Sequence, residues 1–581
     1  MLHKITYVLT KAECIKLVIL FFMVAVGSVL ELLGISVFSP LISLITNPSI
    51  VQTNQYLNRL YIIGKFTNTE DFLAFIIIFI IFVYICKNAY LIFEKNIVYK
   101  YIYNVQRRIS VKLLRCYLNE PYAFFLTKNS SVLQRSLQSD TDNFVKAIKH
   151  FVELTIEVVT CTVIIIYLFM VSHSMTVIIA GILILMVAFF VTTTKKKTKI
   201  LGVESQEYKA QIFQYMNQAL GGVKEIKVLN REKMFLDKYD QAFEKYTYAS
   251  RISEIIGMMP KYCVEASCMA GLLLAILVKM FWGQKELIEF IPQLTVFAVA
   301  SFRLLPSVGR INQYYTWILY EQPSIDLIYH DIKEVENVPQ KNQVNAEWKL
   351  ENQVKISNIS FHYPNVETDV LSDVSLSIKK GTTIAFIGTS GAGKSTLADI
   401  ILGLLTPQLG KIYADDLDVL KNISTWQQEI GYIPQSIYLS DDSIRNNIAF
   451  GIPENQIDDE RIKKAAEQAQ LTAFIDILPD GFNTFVGDRG IRLSGGQRQR
   501  IGIARALYND PEILILDEAT SALDNDTESA VMSAINDLHG KKTLLIIAHR
   551  LTTIRQADYI YEVKGGTVIE RKKEEVLKIN Q

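Results

Sequence analysis

The chain of 581 residues has few charged residues, only 20%, whereas 50% of its residues are hydrophobic. Its mean hydropathy of +0.21 is high for a soluble protein of this size and favours membrane-spanning segments. Lysine and arginine (60) balance aspartate and glutamate (59), and no nucleic-acid-binding motif is present. The composition therefore excludes a disordered chain and gives no support to a nucleic-acid partner.

Cysteine is also scarce. The six cysteines all lie in the first half, and no pair has the spacing of a zinc site, so neither a disulfide scaffold nor a zinc centre is expected. A cleavable signal peptide is not expected either, because the apolar run that follows Lys4, Lys11 and Lys16 is too long for one.

The first half predicts a membrane domain. Six apolar stretches are each long enough to cross a hydrocarbon layer of about 30 Å as a helix. They are roughly 15–46, 71–93, 155–173, 175–193, 258–282 and 287–308. Basic clusters before the first stretch, after the second and after the fourth fall on one side if the N-terminus is cytoplasmic, as the positive-inside rule requires.

Two long connections, after the second and fourth stretches, are polar but keep a helical period, for example over 219–245. We expect them to be helical hairpins that extend from the membrane into the cytoplasm. The polar segment 331–350 is predicted to be a linker. The fold prediction is therefore multidomain: an all-α, six-helix transmembrane domain at 1–330, then an α/β ATPase domain at 351–581.

A glycine-rich loop carries the first chemical motif of the second half. The full G-x-x-x-x-G-K-[ST] pattern lies between a strand-like run, 383–387, and a helical run, 397–404. Its residues are Gly388, Thr389, Ser390, Gly391, Ala392, Gly393, Lys394, Ser395 and Thr396. Backbone amides at such a helix start bind phosphate, Lys394 would neutralise the β- and γ-phosphates, and Ser395 would hold Mg²⁺.

Two further motifs complete the pattern expected of a nucleotide-hydrolysing site. The apolar run 513–516 ends in Asp517, which suits Mg²⁺, and Glu518, which suits a general base for water. A second small helix start at 493–497, with Ser494, Gly495, Gly496 and Gln497, is another anion cradle. Because one chain needs a single cradle for its own ATP, the second is expected to close on a partner's nucleotide.

These motifs, in this order, resemble the ATP-binding cassette (ABC) family over about 350–581. The resemblance implies that Tyr363 stacks on adenine, Gln435 senses Mg²⁺, Asp524 lies in the dimer-contact loop and His549 contacts the γ-phosphate. It also implies that loop 487–490 touches the hairpins. The implied catalytic residues are Glu518, His549 and Lys394, the metal ligands are Ser395, Gln435 and Asp517, and the cofactors are ATP and Mg²⁺.

The resemblance also implies the assembly and its coupling. Every catalytic position carries a competent residue, which favours a homodimer with two equivalent sites over a heterodimer. Gln435 is predicted to couple the site to the hairpins near 120–129 and 221–230.

The cargo must be inferred from the membrane half. Glu31, Arg303 and Arg310 are ionisable residues within or beside apolar stretches, and such residues are functional candidates. They could line a cationic cavity for an anionic head group. Alternatively, the arginines snorkel or Glu31 pairs with one of them structurally.

The stretches 31–40, 54–63 and 302–328 resemble bacterial lipid-linked-oligosaccharide flippases, in which an external helix, here 52–63, and cavity arginines are implicated. This implies an ATP-driven flippase, with membrane lipid and a lipid-linked saccharide as partners. A bacterial inner membrane is expected because the sequence shows no organelle-targeting segment and has a single membrane half joined to a single ATPase half. A general exporter of lipids, drugs or peptides, or an ATP-gated channel, are the alternatives.

Overall fold

The computed structural model describes residues 1–36, 55–64, 66, 68–171, 173–282, 287–336, 348–364, 366–517, 532–547 and 555–579. The chain forms two compact units. The helical unit comprises Met1–Glu120 and Lys128–Val338, and the α/β unit comprises Pro121–Thr127 and Pro339–Gln581. The short segment Pro121–Thr127 therefore belongs with the α/β unit although it lies between two parts of the helical unit in sequence.

Helices make up the described part of the first 336 residues. They are α1 (Leu2–Val8), α2 (Lys11–Ser36), α3 (Gln55–Ile63), α4 (Thr69–Asn119), α5 (Tyr122–Thr127), α6 (Ser130–Arg135), α7 (Thr141–Val171), α8 (His173–Gly221), α9 (Val223–Leu229), α10 (Glu232–Trp282) and α11 (Leu287–Glu336). The described residues of all six predicted membrane stretches are helical. Over the described residues, Lys11–Leu30 and Thr69–Asn119 are apolar and long enough to count as candidate spans.

The predicted hairpins are present as continuations of the membrane helices. Helix α4 runs 51 residues, or about 76 Å at 1.5 Å per residue, which is more than twice the thickness of a hydrocarbon layer. The chain then turns through α6 and a π-helical turn at Ser136–Asp140 before α7 returns. The second hairpin is formed by α8 and α10, with α9 at its tip.

The helix predicted over 52–63 is observed over Gln55–Ile63, while its external location stays a prediction. Leu57 and Tyr61 on one face of α3 pack against Phe72, which is buried at the start of α4. The rings of Tyr61 and Phe72 meet edge to face at 5.2 Å between centroids. Leu60 and Ile63 point away and are exposed, so α3 is amphipathic. Residues 52–54 lie outside the described part.

The described residues of the α/β unit form two sheets. Its strands are β1 (Gln353–Phe361), β2 (Leu371–Lys379), β3 (Thr383–Ile387), β4 (Leu409–Ala414), β5 (Leu417–Asp418), β6 (Ile430–Ile433), β7 (Ile513–Asp517), β8 (Thr543–Ile547), β9 (Tyr559–Lys564) and β10 (Thr567–Arg571). The smaller sheet is antiparallel, in the order β2-β1-β4-β5, and the larger one has the order β10-β9-β3-β8-β7-β6.

The helices of this unit pack around the sheets. They are α12 (Lys394–Ile401), α13 (Ile423–Gln428), α14 (Ile444–Ile448), α15 (Asp459–Gln468), α16 (Thr472–Asp476), α17 (Gly495–Leu507) and α18 (Lys573–Ile579). Strands β3, β8 and β7 are parallel neighbours and their apolar residues are buried, as is usual for a parallel sheet covered on both faces. Their carboxyl ends meet at one edge, so the segments after β3 and β7 lie together.

Candidate nucleotide site

The glycine-rich loop connects β3 to α12, as the sequence predicts. Gly388 has φ +144° and a Cβ there would collide with the carbonyl oxygen of Val563, so only glycine fits. Gly393 has φ +104° at the N-cap of α12, a conformation that other residues rarely adopt. The loop therefore exposes backbone amides at the start of a helix, which is the arrangement that binds phosphate.

Lys394, Ser395 and Asp517 come together at this loop. The Lys394 ammonium donates to the carbonyl oxygens of Gly388 (2.9 Å) and Thr389 (3.0 Å), which holds the cation over the loop. The Ser395 hydroxyl is 3.4 Å from a carboxylate oxygen of Asp517, at the end of β7. A hydroxyl beside a carboxylate is a donor set that Mg²⁺ accepts, with phosphate oxygens and water completing the shell. The residues present therefore fit Mg²⁺ and a nucleotide phosphate.

The second cradle is a capped helix start on the surface. Ser494 and Gln497 form a capping box: each side chain accepts a hydrogen bond from the other's backbone amide, at 3.2 and 2.8 Å. The exposed Gly495 leaves the amide end of α17 open to an approaching anion. The preceding loop 487–490 turns through Arg489 at φ +51°.

Tyr363 lies beside the loop, and Gln435 lies beyond the end of β6. The Tyr363 hydroxyl shares a hydrogen bond of 3.0 Å with the hydroxyl of Thr396, so the predicted adenine-stacking ring lies beside the phosphate loop. Gln435 follows β6 and is exposed. Its predicted roles in Mg²⁺ sensing and coupling stay predictions, as does the hairpin contact of loop 487–490.

Several predicted site residues fall outside the described part of the chain. Glu518, Asp524 and His549 are among them, and their catalytic and contact roles therefore stay predictions. The side chains of Glu31 and Arg303 are also outside it, although both residues belong to the helices α2 and α11.

Comparison with known proteins is decisive for the family. The family model "ABC transporter transmembrane region" matches residues 17–278, and the model "ABC transporter" matches 371–521. An "ATP-dependent lipid A-core flippase" of Wigglesworthia glossinidia brevipalpis is 31% identical over 481 residues, which are 81% of this chain and 80% of that protein. The chain belongs to the ABC transporter family.

Two other similarities show how much of this chain its relatives match. A protein of the same name from Vibrio vulnificus (strain CMCP6) is 44% identical over 227 residues, but this is only 38% of each chain. The structure of "a bacterial Atm1-family ABC exporter with ATP bound" matches with a TM-score of 0.77 and 19% identity, and covers 98% of this chain and 96% of the other. The fold shared with that exporter, a membrane domain followed by an ATPase domain, therefore covers 98% of this chain.

Helix α5, which the sequence indicated only as part of a hairpin, belongs to the α/β unit. Ala123 packs against the apolar core of the unit, as do Tyr363 and Tyr432. Burial is the main cause that raises the pKa of Tyr122, and the charge of Asp399 is the second. Tyr122 therefore lies near the phosphate-loop helix α12, which carries Asp399.

No sequence motif marked Asp399 itself. It lies one turn beyond Ser395 on α12, and burial together with the charge of Asp517 raises its pKa to about 6. The sequence signal for Asp399 is its position as an acidic residue in the helix that follows the phosphate loop. Its negative charge opposes the positive potential at the start of that helix.

A second overlooked residue is Arg505 on α17. Its guanidinium donates to the carbonyl oxygens of Asn447 (2.8 Å) and Tyr438 (2.7 Å) and lies 4.5 Å from the centre of the Phe450 ring. Burial lowers its pKa to about 10. Arg505 thus ties the helix of the second cradle to the segment that follows Gln435. An arginine among the buried residues of α17 was the available signal.

The described substrate candidate, Arg310, is already paired. Its guanidinium makes two hydrogen bonds to the carboxylate of Glu157 on α7, at 2.5 and 3.1 Å, and a third to Ser307 at 3.2 Å. The sequence indicated Glu31 as a possible partner for the arginines, and no motif marked Glu157. The positive charge of Arg310 is therefore balanced within the helical unit in this conformation.

The raised pKa of Asp399 predicts a pH-dependent effect of Asp399→Asn. A carboxyl whose pKa is higher in the folded state than its ordinary 3.8 binds its proton more tightly when the protein is folded. The folded state therefore loses stability as the pH rises from about 4 to about 6 and this carboxyl ionises. At pH 7.5 without nucleotide, we expect the variant to gain about 1 kcal/mol, since partial exposure weakens the effect. Thermal unfolding at pH 7.5 and pH 5 measures this.

The gain should be smaller at pH 5, where the wild-type carboxyl is mostly protonated. Asp476→Asn, at an exposed position of the same unit, is the matched control and should change little. An equal gain of Asp399→Asn at both pH values would rule out charge as its cause.

Proposed function

We propose that two copies of this chain form an ATP-driven flippase that moves a lipid-linked oligosaccharide from the cytoplasmic to the outer leaflet of a bacterial inner membrane. The extended similarity to a protein named lipid A-core flippase supports lipid movement. Lipid A-core is a different lipid from the one proposed. The choice of a pyrophosphate-linked cargo rests on one observation: Arg310 has a bidentate carboxylate partner that a phosphate could replace.

Self-association is supported by surfaces that one chain leaves open. At the tip of the second hairpin, Leu220, Val223, Val228 and Leu229 are exposed. The α/β unit exposes Tyr438 and Phe450 beside Arg505, and Ile491 just before the second cradle. Exposed apolar patches of this kind mark protein interfaces. In the proposed homodimer, the α9 tip of one chain docks on the α/β unit of its partner.

Residues of both chains would then act on each nucleotide. ATP with Mg²⁺ supplies the γ-phosphate that is transferred to water. Lys394 and the loop amides bind the β- and γ-phosphates, while Ser395 and Asp517 would hold the metal. Ser494 to Gln497 of the second chain would cover the γ-phosphate with the amide end of α17. Glu518 is assigned the role of general base and His549 that of γ-phosphate contact.

This closure would be transmitted through α5, whose Ala123 packs on the core that carries the phosphate loop. Transport follows if the conformations before and after this closure bind the cargo with different affinity. Only such a difference in affinity allows the cargo to shift the equilibrium between the two conformations. The proposed orientation places the N-terminus and the α/β unit in the cytoplasm, on the side of the lysine clusters.

A translocation assay tests the proposal. The full chain is reconstituted in proteoliposomes with a fluorescent polyprenyl-pyrophosphate oligosaccharide, and leaflet exchange is followed with ATP. Flipping should occur in the wild type and disappear in Glu518→Gln. ATPase activity without flipping of this cargo contradicts the proposed cargo. Stimulation by many unrelated amphiphiles would instead favour a general exporter, and ion currents in a planar bilayer would favour a channel.

The Arg310–Glu157 pair gives a sharper prediction for the cargo. If Arg310 binds pyrophosphate, Glu157 competes with the cargo for the guanidinium. We expect Arg310→Ala to lower transport per ATP hydrolysed about 10-fold, a loss of roughly 1.4 kcal/mol, and Glu157→Gln to lower the apparent KM for cargo. Initial flipping rates over a range of cargo densities measure both.

A purely structural ion pair gives a different pattern. Each single variant would then leave a charge or its partner unmatched, so both would lose stability and neither would improve the apparent KM. The unfolding temperature of each variant, measured in the same detergent, separates the two cases.

A further inference from the structure

A groove of about 240 Å³ lies between the first half of α2 and the middle of α4. Its polar end contains Lys16 and Lys100, one from each helix, and its apolar part contains Ile19, Met23 and Ile97. The two helices are held together on both sides of it. Tyr101 donates to the carbonyl oxygen of Glu13 at 3.2 Å, and Tyr90 donates to that of Met23 at 2.8 Å.

The groove carries a net positive charge. Its carboxylate, Glu13, is neutralised by Arg108, whose Nε lies 2.6 Å from a carboxylate oxygen and whose Nη2 donates to the carbonyl oxygen of Val8. Lys16 and Lys100 make no ion pair with any residue in the described part of the chain. Two lysines are therefore available to an anion, whereas the acidic side chain is already engaged.

The position of the groove selects a lipid over a soluble anion. Lys16 stands at the start of the first apolar stretch, and Met23 lies seven residues further, about 10 Å into it. Ile15, Val18 and Phe22 beside it on α2 are exposed and apolar, as expected for a face in contact with lipid. The groove thus offers cations at the depth of head groups and an apolar wall at the depth of acyl chains.

We propose that this groove binds an anionic phospholipid of the cytoplasmic leaflet, with its phosphate between Lys16 and Lys100 and an acyl chain along Ile19 and Met23. Basic pockets between membrane helices recognise lipid head groups in this way. The lipid would bridge α2 and α4 where Glu13 and Arg108 already join them. The choice of leaflet rests on the proposed orientation, but the binding itself does not require flipping of any cargo.

The test measures lipid retained by the purified full-length protein. Native mass spectrometry in detergent, with dioleoyl phosphatidylglycerol or phosphatidylcholine added in equal amounts, should show a preference of about 10-fold for phosphatidylglycerol in the wild type. The double variant Lys16→Gln/Lys100→Gln should lose this preference. Lys11→Gln/Lys95→Gln removes the same charge from the same two helices outside the groove and should keep it.

Other outcomes overturn the proposal. Equal retention by the two double variants means that the lysines only snorkel. Displacement of phosphatidylglycerol by millimolar inorganic phosphate points to a site for a soluble anion, and displacement by the fluorescent pyrophosphate lipid points to a cargo site. Gel filtration identifies a variant that fails to fold, in which case the single variants Lys16→Gln and Lys100→Gln, each expected to lower the preference, replace it. Failure of the flipping assay leaves these lipid measurements unaffected.

Discussion

Lys394→Ala is expected to reduce ATP hydrolysis by a factor of about 100 or more, the usual cost of removing a preorganised charge from a phosphoryl-transfer site. Lys394 is 5% exposed, and its ammonium is fixed by the carbonyl oxygens of Gly388 and Thr389. The variant keeps the loop amides but loses the cation that balances the β- and γ-phosphates. Phosphate release by the reconstituted protein measures the effect, with binding of a fluorescent ATP analogue measured in parallel.

Two further variants separate charge from geometry. Lys394→Arg keeps the charge but places a larger, planar group where a compact ammonium fits, so it should remain strongly impaired. Lys463→Ala removes a surface lysine that pairs with Glu460 and should hydrolyse ATP like the wild type. If Lys394→Ala retained more than half of the wild-type rate, the role of Lys394 at the phosphates would be wrong.

The phosphate loop shows what a sequence can predict. Gly388, Gly393 and Lys394 are constrained by local backbone geometry and by the chemistry of phosphate, and both are visible in nine consecutive residues. The placement of Asp517 beside Ser395 also follows, since parallel strands bring their carboxyl ends to one edge. Long apolar runs likewise predicted long helices, because the requirement for internal hydrogen bonding in lipid leaves helices as the simplest solution. Over the described residues, two of these helices count as candidate spans.

Contacts between segments that are far apart in the chain were harder to predict from the sequence. Arg310 was expected to face a cavity or an acidic residue, but its partner Glu157 is 153 residues away and has no local pattern that marks it. The same holds for Arg505, which donates to backbone carbonyl oxygens of the segment 438–447. Every residue has such a carbonyl, so the type of residue gives no signal of this contact. The membership of α5 in the α/β unit depends on tertiary packing of a six-residue helix, which is too short to show a period.

Asp140→Asn should have the largest effect on stability, because Asp140 joins three separate segments of the helical unit. Its carboxylate accepts hydrogen bonds from Arg135 (2.9 Å), Gln206 on α8 (2.9 Å) and Ser324 on α11 (2.7 Å), and it is 1% exposed. Removing its charge leaves Arg135, which is also buried, without a counter-ion. Breaking such a pair costs about 3–5 kcal/mol, or roughly 10 °C in Tm for a unit of this size.

Asp142→Asn is the matched control for this prediction. Asp142 lies two residues further along the chain, and its ion pair with Lys146 is solvent-exposed, so its loss should cost at most about 0.5 kcal/mol. Thermal unfolding of both variants in the same detergent gives the comparison. A similar Tm for Asp140→Asn and Asp142→Asn would mean that water reaches the Arg135 guanidinium and replaces its partner. A large difference would establish that the packing of α6, α8 and α11 behind the first hairpin depends on one buried carboxylate.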